Sequence, residues 1–182
     1  NGLDIDFWKT DNYTKIPNTF LAVFSKNQFY LKGGDLIIEM AMLFEDCSFE
    51  IVGMEEPNYI KEIPKNLKFS GKLNKEDLKK KYTNTEYYFQ LSSFEGFGLS
   101  LCEAMLNGCI PIGSSSNMIP EIIGKSGYIL SEKDASELEN IIKKAISNSN
   151  NKELSQQAKS SIENRFNLKL RRDKLMSIVN DF

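Results

Sequence analysis

Along the chain, short apolar runs alternate with longer stretches in which apolar residues return every three or four positions. The runs Phe20-Ser25, Ser48-Val52, Leu67-Ser70, Tyr87-Leu91, Ile110-Ser114 and Tyr128-Leu130 read as strands. Between and after them, Gly34-Phe44, Lys75-Tyr82, Leu99-Asn107, Met118-Ile123, Ala135-Asn148, Lys152-Arg165 and Leu168-Asp181 read as helices. Strands joined by helices predict an α/β domain, a Rossmann-like parallel sheet of about six strands with helices on both faces. Ligands of such sheets bind beyond the carboxyl ends of the strands, so the candidate chemistry belongs to the loops found there. The opening segment to about Asn18 is polar, turn-rich and without periodicity. The expected division is a linker or tail at 1–18, the domain at 19–166, and a closing helix at 167–182. The start at Asn1, without an initiator methionine, reads as a cut at an interdomain linker.

The densest chemistry lies in Phe94-Glu95-Gly96-Phe97-Gly98-Leu99-Ser100-Leu101-Cys102-Glu103-Ala104-Met105. Two glutamates stand there with seven residues between them, across a glycine-rich turn that follows a strand and opens a helix. Backbone N–H groups at such a helix start lack partners and carry partial positive charge, so Gly98, Leu99 and Ser100 suit a diphosphate. Helical spacing places Ser100, Glu103 and Asn107 on one side, with Leu101, Ala104 and Met105 towards the core, which aims Glu103 at the ligand. A second turn, Phe24 to Asp35, joins the first strand to the first helix and carries Lys26 and Lys32, which suit phosphate binding or simply solvent. The turn Val52-Gly53-Met54-Glu55-Glu56 lies near a base or is a surface loop. Ser114-Ser115-Ser116-Asn117 offers hydroxyls and an amide before a short helix.

Composition narrows the choices. With 182 residues, 41% apolar, the chain is long enough for one full core. A net charge of −2 gives no electrostatic case for nucleic acid, and no apolar run approaches the roughly 20 residues of a membrane helix. Histidine is absent, which removes any histidine-based triad or metal site and leaves the chemistry to carboxylates, lysines and backbone dipoles. Cys47, Cys102 and Cys109 show no Cys-x-x-Cys spacing and sit in apolar segments, which suits a reducing compartment and a cytoplasmic location. The Lys79-Lys80-Lys81 and Arg171-Arg172 runs read as solvated helix faces.

Several segments together resemble the donor-binding, carboxyl-terminal half of a GT-B glycosyltransferase of the retaining family 4. Asn1-Gly2-Leu3-Asp4 with Phe7 is similar to that family's "NGxD...F", Lys32-Gly33-Gly34-Asp35-Leu36-Ile37 to "KGxDxLI", and Ile51-Val52-Gly53 to "IVG". Phe69-Ser70-Gly71 is similar to "FxG", Ser93 to Leu99 to "SxxEGFGL", and Ile119-Pro120-Glu121-Ile122-Ile123 to "IPEIV", while Glu103-Ala104-Met105 completes the Glu-x7-Glu signature. The resemblance implies that Glu103 binds the nucleotide's ribose and Glu95 approaches the transferred sugar. It implies that Phe97, Gly98, Leu99 and Ser100 line the donor's sugar and phosphates, that Lys32 binds phosphate, and that Gly53 and Phe69 border the nucleotide. Two departures stand out: Lys26 is the nearest cation to the family's usual arginine, and Asn117-Met118 replaces a small glycine pair. The implied partner is a UDP- or GDP-sugar, without a metal cofactor. An amino-terminal acceptor-binding domain in cis is implied too, with membrane contact only peripheral, at the inner face and through that half. The function implied is sugar transfer to a glycan or lipid-linked acceptor in bacterial surface polysaccharide synthesis. A nucleotide-sugar 2-epimerase of the same architecture and a non-catalytic relative are the alternatives.

Overall fold

The computed structural model describes residues 3–11, 13–166 and Met176. The expected helix Leu168-Asp181 apart from Met176, with Arg171-Arg172, and the Asn1-Gly2 pair lie outside the described residues. Strands β1 (Ile16–Val23), β2 (Ser48–Val52), β3 (Leu67–Ser70), β4 (Thr85–Gln90), β5 (Ile110–Ser114) and β6 (Tyr128–Leu130) form one sheet in the order β3-β2-β1-β4-β5-β6. All five pairings are parallel. The helices are α1 (Ile5–Trp8), α2 (Gly34–Leu43), α3 (Lys75–Asn84), α4 (Leu99–Leu106), α5 (Ile119–Ile123), α6 (Ala135–Ile146) and α7 (Asn151–Arg165). This is the expected Rossmann-like architecture.

Alternate side chains of the strands feed two cores, which is why the strands are apolar nearly throughout. Under α2 and α6, Phe20 stacks on Phe49, Tyr87 and Phe89 at centroid distances of 4.9, 4.7 and 5.2 Å. On the other face Leu21 and Tyr88 meet Leu101, Cys102 and Met105 of α4, Ile122 of α5 and Ile162 of α7. All three cysteines are buried and free.

The chain order reverses between β1 and β4: from β1 the sheet grows one way through β2 and β3, and from β4 the other way through β5 and β6. Loops leaving β1 and β4 therefore part to opposite sides and open a crevice at their carboxyl ends.

Near the amino terminus the structure differs from expectation. The polar segment carries the helical turn α1, whose Trp8 is buried with Leu3 in the second core, and Leu3 N–H donates to the Phe166 carbonyl at 2.9 Å. β1 starts at Ile16, four residues before the expected Phe20, because Ile16 pairs with Thr85 despite being exposed. The irregular register between Ile16 and Phe20, with Asn18 at φ 57°, hides this start from any periodicity. At its other end β1 stops at Val23, and Ser25 instead caps a 3-10 turn, Lys26–Gln28.

Candidate donor site

The loops after β1 and β4 bring Lys32 and Glu95 together at the crevice. Their ammonium and carboxylate are in direct contact, with side chains only 12% and 14% exposed. Glu95 Oε2 also accepts from Gln90 Nε2 at 2.5 Å and from Ser92 Oγ at 3.2 Å. Among the described residues no donor reaches Oε1, so one oxygen is anchored by three donors and the other accepts from none. The approach of the loops depends on Gly33, the left-handed cap of α2 at φ 77°. A Cβ there would lie 2.8 Å from Leu91 Cβ, so only glycine lets this turn lie against the end of β4.

Glu95 is also fixed through its backbone: its N–H donates to Asn117 Oδ1 at 3.0 Å. Asn117 has φ 49°, a left-handed conformation asparagine tolerates better than most side chains, so it can occupy a place where the resembling family has glycine. Ser114 Oγ donates to the Ser92 carbonyl at 2.6 Å and Ser116 Oγ to the Ser93 carbonyl at 3.2 Å. The Ser114 and Ser116 hydroxyls thus hold the Glu95 loop, while Ser115 Oγ donates to the Ser131 carbonyl at 2.9 Å.

Gly98, at φ 89°, caps α4 without any side-chain hydrogen bond to the helix end. The amides of the first turn, including those of Leu99 and Ser100, point their partial positive charge into the crevice. Phe97 is half-buried and packs edge-on against Phe166 at 5.5 Å, while Leu99 is exposed. One turn on, burial pushes the Glu103 carboxyl up to about 7, against the pull of the Tyr82 hydroxyl, which donates to it at 3.3 Å, and of the Lys75 ammonium. Burial also raises the Tyr82 and Tyr88 phenols well above their usual range, so both stay protonated beside this carboxyl. Asn107 does not join Glu103 on the ligand side. It is fully buried at the end of α4, with its amide donating to the Glu103 carbonyl at 2.9 Å.

The remaining expected residues surround this centre without touching it. Lys26 is exposed on the 3-10 turn, its ammonium 5.8 Å from the Tyr59 ring centroid. Gly53 N–H donates to the Ser70 carbonyl at 2.9 Å and ties the ends of β2 and β3 together. Phe69 is partly buried, packed against the core under α2. Gln90, Ser92, Asn117 and Tyr82 belong to the site through contacts that sequence reasoning missed. Gln90 left one signal, a polar side chain at the end of an apolar strand. A cavity of about 1200 Å³ opens at the opposite, amino ends of the strands, beside Tyr13, Lys15 and Lys159.

A Rossmann-like sheet with a lysine, a carboxylate and a glycine-capped helix at its point of reversal defines one half of a GT-B glycosyltransferase fold. The chain belongs to the family of glycosyl transferases group 1, whose model matches residues 6–164. The serotype-specific mannosyltransferase WbdA of Escherichia coli is 32% identical over 78 residues, which are 43% of this chain and 10% of that protein. Crystallised HepE of Anabaena, in complex with UDP and glucose, superposes with a TM-score of 0.80 at 20% identity, over 100% of this chain and 56% of that one. The carboxyl-terminal domain of the group 1 glycosyl transferase LpcC from Francisella tularensis superposes with a TM-score of 0.74 at 20% identity, over 92% of this chain and 100% of that one. The chain thus spans about half of HepE and matches a tenth of the mannosyltransferase.

Proposed function

We propose that this chain is the donor-binding half of a retaining glycosyltransferase, which moves a sugar from a nucleoside diphosphate to a glycan or lipid-linked acceptor. The observation that carries this reading is the contact of Lys32 with Glu95 at the sheet's point of reversal, beside the uncapped start of α4. The names of the relatives agree with it: WbdA is a mannosyltransferase and HepE was crystallised with UDP-glucose. The named role of a further structural relative, WaaG, in lipopolysaccharide biosynthesis supports a surface polysaccharide as the product's destination.

In this reading the diphosphate lies between Lys32 and the first turn of α4, and the ribose diol donates to Glu103. An arriving phosphate draws Lys32 away from Glu95, whose carboxylate stays anchored by Gln90 and Ser92. Glu95 Oε1 then orients a sugar hydroxyl or stabilises positive charge at the anomeric carbon as the glycosidic C–O bond lengthens. Charge on the leaving phosphate is met by Lys32 and the helix dipole, with Lys26 the nearest further cation on the β1 loop. No metal enters this scheme. An amino-terminal domain of the whole protein supplies the acceptor, in a cytoplasmic setting at the inner face of the membrane.

Calorimetric titration of the chain with UDP, GDP, ADP and dTDP tests the reading. One diphosphate is expected to bind saturably, with Glu103→Ala and Lys32→Ala each weakening it about tenfold or more, the usual range for a lost charged hydrogen bond. Binding that survives both substitutions would place the nucleotide elsewhere.

A further inference from the structure

A third loop reaches the crevice. Lys133 lies between β6 and α6, outside every motif that identified the site, and its ammonium donates to the Tyr30 carbonyl at 2.7 Å and to Ser93 Oγ at 3.1 Å. Tyr30 stands two residues before Lys32, and Ser93 two residues before Glu95. The same two loops are joined directly by the Ser93 N–H, which donates to the Leu31 carbonyl at 2.8 Å. Lys133 therefore adds a cross-brace just behind the Lys32–Glu95 contact. Burial lowers its ammonium from the ordinary lysine range, with the Asp35 carboxylate opposing, so the brace is kept despite a desolvation cost. A solvated surface lysine has no such cost to bear.

We propose that Lys133 is a positioning residue of the donor site: it holds the β1 and β4 loops at the separation where Lys32 and Glu95 meet. The inference rests on the function proposed above. Its consequence is selective, because the brace serves the phosphate end of the crevice. The nucleoside end depends on Glu103, which α4 positions through its own packing.

The test uses the full chain with Lys133→Met, which keeps the stem but removes the donors, and Lys133→Arg, which restores them. In the unliganded Lys133→Met protein the Ser93 amide should exchange with solvent about fivefold faster or more, as expected for one lost hydrogen-bond brace. Its affinity for the preferred nucleoside diphosphate should fall about threefold to tenfold, while that for the matching nucleoside stays within about twofold. Lys133→Arg should restore both properties. Equal weakening of nucleoside and diphosphate would indicate general loosening and overturn the proposal, as would unchanged exchange and affinity. A chain that binds no diphosphate before any substitution would defeat the donor-site reading and this inference with it. Full binding by Lys133→Met would defeat this inference alone.

Discussion

Glu103 carries a carboxyl that burial has moved into the neutral range, and the consequence can be signed. Its folded value of about 7 lies above the ordinary 4.5, so the folded chain holds this proton more tightly than the unfolded chain does. Stability from this group is complete below pH 4.5 and is lost as pH rises through 7, by up to about 3 kcal/mol. In the proposed reading a ribose diol donates to the ionised form, so nucleoside affinity should move the other way and increase from pH 6 to 8. Urea unfolding and calorimetry with the free nucleoside, which has no titrating phosphate, check both slopes, and Glu103→Gln should flatten both. At this scale the sequence singled out Glu95, Glu103 and Lys32 as candidates because each sits in a recognisable run of residues. Gln90 and Ser92 stayed hidden because their contacts depend on how Glu95's own loop folds back on the strand end, and the roles of Asn117 and Lys133 because theirs join loops distant in sequence. The lysine run misled because its partners are also distant in sequence: Lys79 donates to the Phe7 carbonyl at 2.6 Å and Lys81 pairs with Glu50 at 2.7 Å, leaving Lys80, paired with Asp77, on the surface.

Among the elements, β2, β3, β5 and β6 have the bounds their runs predict, including β3 and β6, which lie at the edges of the sheet and are only partly buried. Ends set by pairing or capping were less legible. β4 starts at Thr85, which the charged Glu86 separates from the apolar run at Tyr87, and α2, α4 and α6 stop short of the expected ends. The two left-handed glycines that begin α2 and α4 separate two kinds of constraint. A Cβ at Gly98 meets nothing closer than 3.6 Å, so Gly98→Ala should cost about 1 kcal/mol, the conformational strain alone. Gly33→Ala adds a collision with Leu91 and should cost about 2 to 4 kcal/mol. Denaturant titration of both variants measures the difference, and equal costs would mean that the β1 loop is not pressed against β4 as described.

For the whole molecule, two aromatic and aliphatic cores hold a sheet whose strand order leaves one crevice at the carboxyl ends. The polar opening segment belongs to this body as far as Trp8 and Leu3, which its composition did not reveal because a single helical turn has no periodicity to read. The reversal between β1 and β4 came with the expected Rossmann-like architecture and not from the apolar runs themselves, which do not fix which neighbours pair. It is what makes Lys32 and Glu95 adjacent. The cavity at the amino ends is the competing location for a ligand, lined by Tyr13, Lys15, Asn151, Ser155 and Lys159. Lys15 there is already committed, donating to the Tyr82 and Asn107 carbonyls at 2.7 and 2.8 Å. Amide NMR of the chain, titrated with each of the four nucleoside diphosphates, decides between the two ends of the sheet. Saturable shifts confined to residues 31–33, 93–100 and 103 are the predicted result; shifts centred on Tyr13, Lys15, Asn151 and Ser155, or none with any diphosphate, would contradict it.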